Sequence, residues 1–180
     1  MIDIPTFDIT NSISWSGIVV HHSATPDGKL NDWEGIRKFH TSWRYDGNII
    51  VKEKGENLLA NGDKRVLRPW VDIAYHFGLE RVNDALQVMI GRPLSIVGAH
   101  AVGFNHTHIG VCIVGDFDKA PPAEDVWESA VKLVRNVMYV FKLSHTCVLG
   151  HRETFSIRNV PVEKTCPGSK FEMKNFQNSL

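Results

Sequence analysis

The run Ile109-Gly110-Val111-Cys112-Ile113-Val114-Gly115 carries no charge. It is short for a helix and rich in β-branched residues, so it fits a central strand covered on both faces. A strand of that kind requires layers of other structure above and below it. Ile18-Val19-Val20-His21-His22 is a second apolar run and stops at the turn cluster Ser23-Ala24-Thr25-Pro26-Asp27-Gly28. Further strands are expected at 72–79, 86–90 and 146–149. Trp33, Ile36, Phe39, His40 and Trp43 recur at helical spacing up to Tyr45-Asp46-Gly47, with Asn31 placed to cap and Glu34 three residues on. The longest helix is expected at about 123–143, after Pro121-Pro122. Trp127, Ala130, Val134, Val137, Met138 and Phe141 line one face, and Glu124 and Asp125 suit its N-terminus. A short helix is expected over 169–177. Strands alternating with helices give an α/β domain. Residues 46–70, with Gly47, Gly55, Gly62 and many charges, read as an inserted loop or hairpin, and 95–108 as a loop on the active face.

The 180 residues suffice for one domain with a real core. Lys plus Arg and Asp plus Glu number 20 each, without a basic block. That argues against nucleic acid or an anionic membrane as a partner chosen by bulk charge. No apolar run approaches transmembrane length, so no membrane insertion is expected. Met1-Ile2-Asp3-Ile4-Pro5 has no basic region followed by a long apolar stretch. The expectation is synthesis in the cytoplasm without a signal peptide.

There are three cysteines, an odd number that does not suggest a disulfide framework. Cys112 and Cys147 sit in apolar strand-like surroundings and read as packing residues. Cys166 stands in the polar stretch Lys164-Thr165-Cys166-Pro167-Gly168. His151 follows the end of an apolar strand, as does the pair His21-His22. Strand ends hold ligands rigidly next to open loops. Successive strand residues face opposite ways, so only one of His21 and His22 can join the others. Two imidazoles and one thiolate make a three-ligand zinc site whose fourth position is open, the arrangement a hydrolytic zinc requires. Lys164, two residues before Cys166, can reach the same side and stabilise an oxyanion. Tyr75 and His76 interrupt an apolar segment with hydrogen-bonding rings. Tyr75 is a candidate for orienting water or stabilising a transition state. His76, His100 and Thr165 are candidate substrate-binding residues. Glu153, two residues after His151, is a candidate acceptor supporting that ligand.

Val19-Val20-His21-His22-Ser23-Ala24-Thr25, Ala74-Tyr75-His76-Phe77, Gly98-Ala99-His100-Ala101, Ile109–Gly115, Gly150-His151-Arg152 and Lys164–Gly168 occur in one order. In that order they resemble the zinc-dependent N-acetylmuramoyl-L-alanine amidases, a group that includes phage lysozyme-type amidases and shares its fold with the peptidoglycan recognition proteins. The resemblance runs from about residue 17 to 168. It implies a single domain over 1–180 with a central mixed β-sheet flanked by helices and a groove for peptidoglycan. It implies one Zn2+ held by His21, His151 and Cys166, which selects His21 over His22, and a catalytic pair Tyr75 and Lys164. The implied reaction is hydrolysis of the amide between N-acetylmuramic acid and L-alanine.

Two departures stand out. Glu153 replaces a usual aspartate, and the loop 152–163 between His151 and Cys166 is long. A leaderless domain of this kind is expected to be a monomeric phage or prophage endolysin, acting on the wall after release. The alternatives are a cytoplasmic amidase recycling wall fragments and a non-catalytic recognition domain. The retained Cys166, Tyr75 and Lys164 argue against the last of these. No His-Glu-x-x-His helix is present, which argues against a large class of zinc peptidases.

Overall fold

A computed structural model describes residues 2–7, 9–26 and 32–180. The chain runs through β1 (Gly17–His22), α1 (Trp33–His40), β2 (Arg44–Tyr45), β3 (Asn48–Ile49), α2 (Lys52–Ala60) and β4 (Val66–Leu67). It continues through β5 (Phe77–Val82), β6 (Ala85–Ile90), β7 (His108–Ile113), α3 (Glu124–Phe141), β8 (Val148–Gly150), α4 (His151–Ile157) and α5 (Met173–Asn178). The main sheet has five strands in the order β6-β5-β7-β1-β8. Pairing is parallel except between β5 and β6, so the sheet is mixed, as expected. Asn83 and Asp84, at the β5–β6 turn, both have positive φ, the conformation a two-residue hairpin demands.

The two apolar runs are the middle of this sheet. β1 is buried along its whole length and pairs with β7, itself buried beyond its first residue. Alternation divides their side chains between two layers. Ile18, Val20 and Val111 join α3 residues Ala130, Leu133, Val134 and Val137, together with Phe171 and Phe176, in the larger core. Val19 packs with Ala101 and Phe104 on the other face. Cys112, in register with His21, packs with Trp33 and Ile73. His21 therefore faces away from α3, and His22 faces the α3 layer, where it stacks on Phe117. Among the described residues no helix is long and apolar enough to cross a membrane.

Several expectations need correction. The strand expected at 72–79 begins only at Phe77 and runs to Val82. Arg92 takes the carbonyls of Ile73 at 2.7 Å and Asp72 at 3.3 Å, so a side chain replaces a neighbouring strand there. Residues 46–70 form more than a loop or hairpin: β2, β3 and β4 make a small antiparallel sheet, joined by α2. Gly55 is buried in α2 against Trp43. The expected cap Asn31 lies outside the described residues; Asp32 Oδ1 accepts the Gly35 N–H at 2.7 Å and caps α1. The 152–163 segment is not a loop throughout, because α4 occupies its first half.

Candidate metal centre

β1 delivers His21 to the open end of the sheet. β8, its parallel neighbour, ends at Gly150, and His151 opens α4 immediately after it. The chain returns at Cys166, whose carbonyl accepts the Arg152 backbone N–H at 2.7 Å. The Arg152 guanidinium also donates to the carbonyls of Thr165 at 3.0 Å, Gly168 at 2.6 Å and Phe171 at 2.8 Å. From the other side, Asp118 accepts the Ser169 N–H at 2.6 Å and the Thr165 hydroxyl at 2.8 Å. Arg152 and Asp118 thus clamp the loop that carries Lys164 and Cys166. Neither was identified as a site residue from sequence. The only signal was the position of Arg152 between a candidate ligand and an acidic residue.

One ligand atom each from His21, His151 and Cys166 lie within 4.8 Å of one another. The rings of His21 and His151 are 4.6 Å apart between centroids, and His21 Nδ1 is 3.5 Å from Cys166 Sγ. Zinc bonds of about 2.3 Å to sulfur and 2.0–2.1 Å to nitrogen, at a tetrahedral angle, separate the two ligand atoms by about 3.6 Å. The spacing and the donor set both fit zinc. The site opens into a cavity of about 530 Å³ lined also by Tyr75, His100, Lys164, Thr165, His40 and Trp70.

Burial holds His21 well below the ordinary imidazole value, reinforced by His100, His151 and Lys164. Burial, with Lys164 and Arg158, takes His151 to about 4. Both rings are neutral near pH 7, as ligands must be. Burial pushes the Cys166 thiol up to about 12, against the opposing pull of a backbone hydrogen bond and of Lys164 and Arg152. A metal ion entering here displaces one proton, that of Cys166. At about pH 6, below the ~7 at which zinc-bound water ionises, zinc uptake is expected to release about one proton per ion, with apparent affinity rising about tenfold per pH unit. Calorimetry in buffers of different ionisation enthalpy reads this directly. Release of no proton, or of about two, contradicts the assignment.

Tyr75 lies beside His21, ring centroids 5.1 Å apart. Burial, then the neighbouring sulfurs of Cys112 and Cys166, holds its phenol well above its ordinary value, so it is a hydrogen-bond donor at neutral pH. Cys112 is buried, as expected of a packing residue, and also sits within hydrogen-bonding reach of that phenol. Lys164 is exposed on the cavity wall, where its charge acts on both histidines and on Cys166.

Three expectations fare differently. His76 is fully buried, with Nδ1 accepting the Gly110 N–H at 3.0 Å and Nε2 3.0 Å from the Ile96 carbonyl. It ties the segment before β5 to its neighbours and does not line the cavity. Glu153 does not support His151 as expected; its carboxylate accepts the Gly150 N–H at 2.7 Å and caps α4. His100 reaches the cavity, but both of its ring nitrogens are engaged by protein. His22 forms a second cluster with Asp116 and Asp118, which Phe117, Lys119, Thr165 and Ser169 already satisfy.

A family model described as N-acetylmuramoyl-L-alanine amidase matches residues 11–169. The endolysin of Escherichia phage T7 is 34% identical over 105 residues, 58% of this chain and 51% of that protein. The endolysin of Klebsiella phage KP32 is 29% identical over 110 residues, 59% of this chain and 65% of that protein. The matched stretch therefore spans between half and two thirds of those relatives. Among solved structures, peptidoglycan recognition protein-LE in complex with tracheal cytotoxin, a monomeric diaminopimelic acid-type peptidoglycan, superposes with a TM-score of 0.59 at 20% identity. That match covers 92% of this chain and 81% of the other.

Proposed function

The chain belongs to the N-acetylmuramoyl-L-alanine amidase family, and from that premise we propose that it hydrolyses the amide joining N-acetylmuramic acid to L-alanine in peptidoglycan, as a zinc-dependent endolysin. The observation that carries this reading is the convergence of His21, His151 and Cys166 at the floor of a cavity that Tyr75 and Lys164 also line. The phage endolysins among its relatives support the role in wall degradation. The bound peptidoglycan fragment in the recognition protein of like fold supports the choice of substrate.

Zinc, when bound, supplies a Lewis acid and lowers the pKa of water to about 7. The chain's own residues do the rest. Neutral His21 and His151 keep their lone pairs for coordination, and Arg152 and Asp118 hold the Cys166 loop in place. The Lys164 ammonium stabilises negative charge that develops on the amide oxygen. The Tyr75 phenol, protonated at neutral pH, donates to that oxygen or orients the attacking water. Thr165 and His100 border the groove in which the glycan and stem peptide lie. On this reading the chain works as one catalytic domain and as a monomer, made in the cytoplasm and acting on the wall after release.

Purified sacculi should lose turbidity when incubated with the protein, stop doing so on chelation, and resume on zinc addition. Soluble muropeptides should turn over more slowly than sacculi. The opposite preference would favour a recycling enzyme, and binding to sacculi with no turnover at any zinc level would favour a recognition domain.

A further inference from the structure

We propose that His100 is a positioning residue that sets which nitrogen of His21 faces the metal, an inference that rests on reading His21, His151 and Cys166 as the metal centre. His100 Nε2 lies 3.1 Å from the His108 carbonyl oxygen. A carbonyl can only accept, so that nitrogen carries the hydrogen. His100 Nδ1 is then an acceptor, and it lies 3.0 Å from His21 Nε2. The His21 hydrogen is thereby placed on Nε2. Its Nδ1 is left with a lone pair, and this is the atom 3.5 Å from Cys166 Sγ. One pattern of hydrogens on two neutral rings satisfies the whole series, and it runs from the β7 backbone to the metal ligand.

The His100 ring has little freedom to leave this position. Asn105 Oδ1 accepts the backbone N–H groups of His100 at 2.8 Å and Ala101 at 2.9 Å. Gly98 and Gly110 flank the ring: a Cβ on Gly110 would stand 2.5 Å from His100 Cδ2, and one on Gly98 would also collide with it. The glycines on either side exist to admit this imidazole. Gly110 pairs with Val19, two residues before His21, so ring and ligand share one rigid piece of sheet. His100 is 7% exposed, so its support of His21 is shielded from competing water. Removing a hydrogen-bonded partner behind a metal ligand typically lowers metal affinity about 10–100-fold.

The test combines two readouts on the full chain. Long-range proton–nitrogen correlation spectra report the ring hydrogen of His21 before zinc addition, and a chromophoric chelator competes for zinc at equilibrium. The metal-free wild type should show His21 protonated on Nε2. His100→Ala should mix the two His21 forms and weaken zinc about 10–100-fold. His100→Asn keeps an acceptor near the position of Nδ1 and should recover most of that loss. His21 protonated on Nδ1 in the wild type overturns the proposal without any variant, as does zinc affinity in His100→Ala equal to wild type. Wild-type protein that takes up no zinc overturns the metal-centre reading, and the proposal with it.

Discussion

Replacing Cys166 by serine is expected to abolish zinc uptake and hydrolysis while leaving the metal-free fold in place. The thiolate is the softest of the three donors, and a hydroxyl does not substitute for it on zinc. The affinity loss should exceed the ~100-fold upper range seen for supporting residues, because a ligand itself is removed. The fold should survive because the loop is anchored elsewhere. Arg152 bonds the carbonyls of Thr165, Gly168 and Phe171, Asp118 bonds Thr165 and Ser169, and none of these contacts uses the sulfur. Serine keeps the size of the side chain in a 9% exposed site. Thermal melts separate the two effects. Zinc at 100 times its dissociation constant should stabilise the wild type by about 2.7 kcal/mol and the variant hardly at all. A Cys166→Ser protein with full zinc content refutes the ligand assignment.

Lys164→Ala and Tyr75→Phe should each lower turnover about 10²–10³-fold, or ~3–4 kcal/mol of barrier, with zinc content unchanged. Lys164 is exposed, so its removal should cost the fold little; the loss expected is of charge stabilisation at the reacting oxygen. Tyr75→Phe keeps the ring packed beside His21 and removes only the donor. Stopped assays on a soluble muropeptide, paired with metal analysis, check both. Loss of zinc in either variant would move that residue from the chemistry to the support of the ligands.

The centre of the fold was legible because its physics is local. The uncharged apolar runs at Ile18–Val20 and Ile109–Ile113 suit the middle of a covered sheet, and the positions of His21 and His151 follow from where the runs at 18–20 and 148–150 stop. α4 was not legible. It is short, its N-cap Gly150 offers no side-chain cap to read, and beyond the local Glu153 carboxylate on the Gly150 N–H what holds it is tertiary, the Arg152 bonds to a loop further along the chain. The histidines illustrate the same limit. His76, between Tyr75 and Phe77, and His100, between Ala99 and Ala101, both sit in apolar surroundings, yet one is sealed between Gly110 and Ile96 while the other contacts His21. Which partner each nitrogen meets depends on the register of β7 against segments far away in sequence. Residues 72 and 73 misled for a related reason, since the Arg92 side chain supplies hydrogen bonds to their carbonyls that a strand would otherwise have made.

If the site cuts the one amide proposed, mass spectrometry of purified peptidoglycan digested by the zinc-loaded protein should read it in the products. Glycan chains should stay intact, stem peptides should carry new free L-alanine amino termini, and chelation should prevent their release. Cuts within the glycan, or between residues of the stem peptide, would contradict the proposed reaction.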